Sequence, residues 1–176
     1  MPSPARRMAL VMSTCVLAWC SGGSAATAQT EPPQPRALTI TAPTTANLGS
    51  AGIGDTVTGQ LGTVTASDTT GVPTLTWTAT VTSTNFVTGA GTSPQTIPTT
   101  AVRYWSGPAT STSGIGTFTP GQPTQANAVT LNSPRTAFSR IGTGYSTASW
   151  NPTIQITIPS TAAAGTYSGT ITHSLA

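Results

Sequence analysis

The sequence predicts an all-β fold, a single antiparallel β-sandwich of immunoglobulin-like type with roughly eight or nine short strands. Three observations predict it. Threonine fills alternate positions over long stretches, apolar residues stand between the threonines, and glycine or proline interrupts the pattern at short intervals. Threonine is β-branched, loses χ1 freedom in a helix, and suits the pleated surface of a half-exposed strand. A propeller or solenoid would need a fixed internal repeat, and the chain has none.

The domain begins after two segments of different character. Residues 1–28 read as an export signal: Arg6 and Arg7 supply positive charge, Met8 to Trp19 an apolar run, and Ala26-Thr27-Ala28 a cleavage site. That run has 12 residues, whereas a membrane span needs about 20. The expectation is therefore a cleaved signal and an extracellular protein, secreted or wall-associated, with no membrane insertion after cleavage. A lipid anchor at Cys20 is the weaker alternative, because Trp19 stands where such sites want a small residue. Residues 29–36 form a Pro-rich spacer, in which Pro32, Pro33 and Pro35 fix φ and remove backbone donors. Residues 37–176 are the sandwich domain.

Within it, Leu38, Ile40 and Ala42 share one face of a first strand that Pro43 ends. Residues 55–68 change phase, with Val57 and Leu61 on one parity, Val64 and Ala66 on the other, and Gly62 between them as a bulge or bend. Leu75, Trp77, Ala79 and Val81 alternate with Thr74, Thr76, Thr78 and Thr80 in the cleanest half-buried strand. Residues 86–100 read as a loop or irregular hairpin. Residues 102–105 and 116–119 are short strands separated by a turn-rich 106–114, and 128–131 and 136–139 flank a turn at Ser133-Pro134. Ile154, Ile156 and Ile158 alternate with polar residues up to Pro159. The last strand, 166–175, puts Tyr167, Gly169, Ile171, His173 and Leu175 on one face.

The chemistry available is sparse. From Gln29 onward the chain has one histidine, three carboxylates (Glu31, Asp55, Asp68), four arginines, and no lysine, cysteine or methionine. Both cysteines, Cys15 and Cys20, lie in the signal, so no disulfide is expected. Four arginines against three carboxylates leave a balance of +1, too little for a nucleic-acid surface. One histidine without cysteines cannot supply the clustered ligands zinc needs, and two aspartates are too few for calcium. No serine sits in a G-x-S-x-G elbow. The reading is a non-enzymatic protein with no catalytic residue, no cofactor and no metal.

Two stretches carry a family resemblance. Asp68-Thr69-Thr70-Gly71 followed by Leu75-Thr76-Trp77-Thr78-Ala79 resembles the acidic turn and first Trp-x-Leu strand of the WxL domains of Gram-positive surface proteins. Gly165 to Leu175, with Tyr167, Ile171, His173 and Leu175, resembles that family's closing strand. Ala79 stands where the family has leucine, and His173 where it has tryptophan. The resemblance covers about residues 38–176 and implies non-covalent attachment to peptidoglycan.

Trp77 sits mid-strand between apolar neighbours, the position of a core anchor, and would contact a ligand only from a solvent face. Trp105 and Trp150 lie beside turns, at Ser106-Gly107-Pro108 and Asn151-Pro152. With His173 these three tryptophans are the candidate ligand contacts. The expected function is a surface module that binds cell-wall polysaccharide or peptidoglycan through hydroxyl-rich faces and a few aromatics, with other surface proteins as further partners. The alternative is a structural subunit or adhesin that associates by strand edges.

Overall fold

A computed structural model describes residues 36–176, so the export signal and all of the spacer except Arg36 lie outside the described residues. Twelve strands run through them: β1 (Leu38–Thr41), β2 (Thr56–Gln60), β3 (Val64–Asp68), β4 (Leu75–Ser83), β5 (Phe86–Val87), β6 (Thr96–Ile97), β7 (Val102–Trp105), β8 (Ala109–Pro120), β9 (Val129–Thr130), β10 (Arg135–Trp150), β11 (Thr153–Thr157) and β12 (Ile171–Leu175). Helical structure among the described residues is confined to 3-10 turns of three residues at Ser93–Gln95, Thr99–Ala101 and Gln125–Asn127.

Every pairing is antiparallel. β10 is the spine of a six-stranded sheet. Its first half, to Gly142, pairs with β4, and its second half, from Ser146, pairs with β3. β8 runs along its other edge, since Arg140 stands opposite both Trp77 of β4 and Phe118 of β8. β3 and β4 thus lie end to end along one side of β10, with residues 69–74 bridging them. β1 and β12 pair outside β3 and β4. A second sheet has the order β2-β11-β7-β9, and β5 and β6 form a separate hairpin.

Alternation decides which side chains meet, because residues directly opposite on antiparallel strands share a face. The inward residues of the larger sheet, among them Val64, Ala66, Trp77, Phe138 and Trp150, form one hydrophobic cluster with Val102, Tyr104, Ile154 and Ile156 of the smaller sheet. The fold is all-β, with two antiparallel sheets sharing one core. Trp77 and Trp150 are buried to 1 % and 0 % exposure. Side chains of this size contribute about 4–6 kcal/mol each by removal of apolar area from water, before ordering entropy is subtracted.

The strand list departs from the alternation in three places. Residues 106–114 were expected to turn, yet from Ala109 they belong to the 12-residue β8. Serine, threonine and glycine there lack the apolar alternation that marks a half-buried strand, because residues 110–117 are exposed on both sides. β10 runs for 16 residues, from Arg135 to Trp150, where alternation predicts a short strand over 136–139. Gly144 and Tyr145 are accommodated as two extra residues opposite the step from Gly114 to Ile115. Finally, the last strand, expected over 166–175, begins only at Ile171, because residues 158–170 cross from the smaller sheet to the larger; Gly62, at φ +92°, is the bend its position between two phases predicts, where the chain leaves one sheet for the other.

Candidate functional site

The inward aromatic side chains form a continuous row. Trp77 lies 6.5 Å from Phe138, Phe138 stacks on Trp150 at 4.9 Å, Trp150 meets the edge of His173 at 6.4 Å, and His173 lies 5.9 Å from Tyr104, all between ring centroids. Three of the four candidate ligand contacts, Trp77, Trp150 and His173, are therefore brought together, but in the core. Neither Trp77 nor Trp150 offers a ring face to a ligand, because the inward register of β4 and β10 turns both away from solvent. Trp105 is half-buried and stands apart, opposite Thr153 on the outer side of the smaller sheet.

His173 is the polar end of this row. Its Nε2 hydrogen-bonds the Tyr104 hydroxyl at 3.1 Å, and no described residue bonds its Nδ1. Burial pushes its pKa down to about 4, because removing the ring from water penalises the charged form. Burial also raises the Tyr104 phenol well above its ordinary value. Both groups are thus neutral at neutral pH. The Trp150 indole N–H, buried beside them, interacts with the Tyr104 phenol and opposes part of that rise.

Asp68 and Gly71 belong to a different cluster, where β3 hands over to β4. Asp68 Oδ1 accepts from the backbone N–H of Thr70 at 2.9 Å and from its hydroxyl at 2.7 Å, while Oδ2 accepts from Arg140 Nη1 at 3.2 Å. Arg140 Nη2 donates to the carbonyls of Ile115, Thr143 and Gly144. The guanidinium runs beneath the facing pair Gly116 and Gly142, where a Cβ at Gly142 would meet Arg140 Nε at 2.8 Å. Gly71, at φ +68°, lies under the Tyr145 ring. Sequence reasoning missed Arg140; the signal was an arginine in inward register on a strand with glycine two positions on.

Tyr167 lines a cleft, and Leu175 does not. Tyr167 donates its hydroxyl to the carbonyls of Pro94 and Ala163, tying the 163–170 crossing to the β5–β6 hairpin. Leu175 packs at the edge of the core opposite Ala79. Between that crossing and the one at 42–55, an open cavity of about 880 Å³ reaches inward to Val64, Ile154, Ile156, Ile171 and His173.

The outward face of the six-stranded sheet is made of hydroxyls. Thr39, Ser67, Thr147 and Ser113 form one cross-strand row, and Thr41, Thr65, Ser149 and Ser111 the next. Beyond the bulge come Thr78, Ser139 and Thr119, then Thr76, Ile141 and Thr117, with Thr80, Thr82, Thr172 and Ser174 toward β12. No charged residue occupies an outward position in these rows. The large exposed apolar side chains on this side are Ile115, Ile141 and Tyr145.

Among the described residues, no three of His, Cys, Asp or Glu gather as a metal site, and no helix is long and apolar enough to cross a membrane. The fold and its surfaces define the class: an all-β protein of antiparallel sheets with an uncharged hydroxyl face and an inter-sheet cleft that no charged side chain lines. No family model, curated protein or solved structure matches the chain.

Proposed function

We propose that the protein is an exported β-sandwich module, immunoglobulin-like in build, that holds cell-wall polymer, peptidoglycan or an associated glycan, non-covalently and without catalysis. The observation that carries this reading is the uncharged hydroxyl face of the six-stranded sheet. Hydroxyls supply both donors and acceptors at low desolvation cost, matching the hydroxyls of a neutral polysaccharide, and Ile115, Ile141 and Tyr145 offer apolar patches for sugar rings. The WxL-like stretches at 68–79 and 165–175 point to the same attachment. The reading is tested by retention of the purified protein on insoluble wall material, compared with variants carrying charge on this face.

A second reading rests on β8. It is an edge strand of 12 residues with no charged side chain, and it has β10 on one side only. Monomeric proteins commonly protect such edges with charge or proline, so a structural subunit that adds strands from a neighbour is the alternative. A monomer by size-exclusion chromatography across a wide concentration range would remove this alternative, whereas ladders or fibres would favour it over wall binding.

A further inference from the structure

The cavity of about 880 Å³ is far larger than a packing void, since protein interiors rarely leave gaps bigger than a water molecule. It falls within the roughly 300–1,000 Å³ range of small-molecule sites. Its depth is apolar: Val64 from one sheet, Ile154 and Ile156 from the other, and Ile171 on β12. No Asp, Glu, Lys or Arg is among its lining residues. A charged ligand would therefore lose its hydration without compensation.

One polar group stands at the floor. With Nε2 engaged by Tyr104, His173 has Nδ1 left for a ligand. Access lies under the outer crossing. Residues 44–51 make no backbone–backbone hydrogen bond among the described residues, whereas the base of that crossing is fixed by Gly54 N–H to Ile158 O at 3.1 Å and Ile158 N–H to Asp55 O at 2.8 Å. Leu48 holds the middle down by packing over Gly59.

We infer that this cleft binds an uncharged, largely apolar small molecule carrying one hydrogen-bonding group, which enters beneath residues 44–51 and meets His173 at the floor. The inference is independent of wall binding, because the hydroxyl face and the cleft lie on opposite sides of the six-stranded sheet.

The probe is N-phenyl-1-naphthylamine, a neutral fluorophore with one N–H, compared with 8-anilino-1-naphthalenesulfonate, which shares its ring system and adds a negative charge. The purified protein should bind the neutral dye saturably, one per chain, and the anionic dye at least tenfold more weakly. Ala164→Trp, at the exposed mouth, should weaken the neutral dye at least tenfold with an unchanged melting temperature. Ile171→Trp, deeper in the cleft, should do the same if it folds. Absence of saturable binding, equal affinity for the two dyes, or an Ala164→Trp variant that binds as the parent does would each overturn the inference. Retention on wall material is measured in parallel, so loss of either property leaves the other readable.

Discussion

Arg140 and Asp68 form an ion pair at 3.2 Å in which both side chains are fully buried. The pair joins the end of β3 to the middle of β10, and Arg140 Nη2 reaches carbonyls of β8 and the β10 bulge. Two elements that the chain separates by 72 positions are thereby tied at the point where β10 changes partner from β4 to β3. Arg140 Nε is buried without a partner, and Cζ lies 5.9 Å from the Phe118 ring centroid.

Breaking one side of this pair should cost far more than removing both. Arg140→Met leaves Asp68 buried and uncompensated and is expected to lose about 3–5 kcal/mol. Adding Asp68→Asn, which retains the Oδ1 acceptor for Thr70, should recover at least about 1 kcal/mol of that loss, the coupling expected of a buried pair. Urea denaturation of Arg140→Met, Asp68→Asn and the double variant decides it; additive losses would mean that the partners act independently.

The space for Arg140 depends on Gly142. Gly142→Ala would drive a methyl group into the Ile115 carbonyl and the guanidinium, an overpacking expected to cost about 1–3 kcal/mol or more. Gly144, at φ +65° with open space around its Cβ position, should lose about 1 kcal/mol on change to alanine, from backbone conformation alone. The ranking of the two midpoints is the test, and a Gly144 variant weaker than Gly142 would contradict it.

Trp77 anchors the row of rings. Trp77→Ala should destabilise the fold by about 3–5 kcal/mol, the range for deleting a large buried aromatic. A melting temperature within a degree or two of the parent would show that the row is not what holds the sheets together.

How much of this was legible in the sequence varies with burial. β4 could be read outright because one of its faces is buried and one is not, so Leu75, Trp77, Ala79 and Val81 separate cleanly from the threonines. Of β8 only residues 116–119 could be read, since the stretch before them is exposed on both faces and has no apolar alternation to betray it. The bulge at Gly144-Tyr145 sits inside one long strand; Arg140 beneath Gly142 explains that glycine, and a φ of +65° explains Gly144. His173 was recognised as inward, but its partner Tyr104 lies 69 positions away in the other sheet, a pairing that alternation cannot supply. The cleft depends on where two irregular crossings pass over the core, and composition gives no register for those.

His173 should make stability fall in mild acid. Its folded pKa of about 4 lies below the ordinary value near 6.5, so between those values the unfolded chain binds the proton first. Stability is then complete above about pH 6.5 and declines as pH falls toward 4, by up to about 3 kcal/mol. His173→Phe, which keeps the ring but cannot titrate, should flatten that part of the profile. Melting temperatures at pH 7.5 and 4.5 provide the comparison; the same drop in both proteins would assign the effect to other groups.

The hydroxyl face of the larger sheet is tested most directly by co-sedimentation with isolated peptidoglycan, beside a matched unrelated β-sandwich. The account predicts saturable retention of the parent, and at least a tenfold weakening in the double variant Thr78→Glu/Thr147→Glu with no change in melting temperature. Retention no greater than that of the unrelated protein, or retention that the two added charges leave intact, would contradict it.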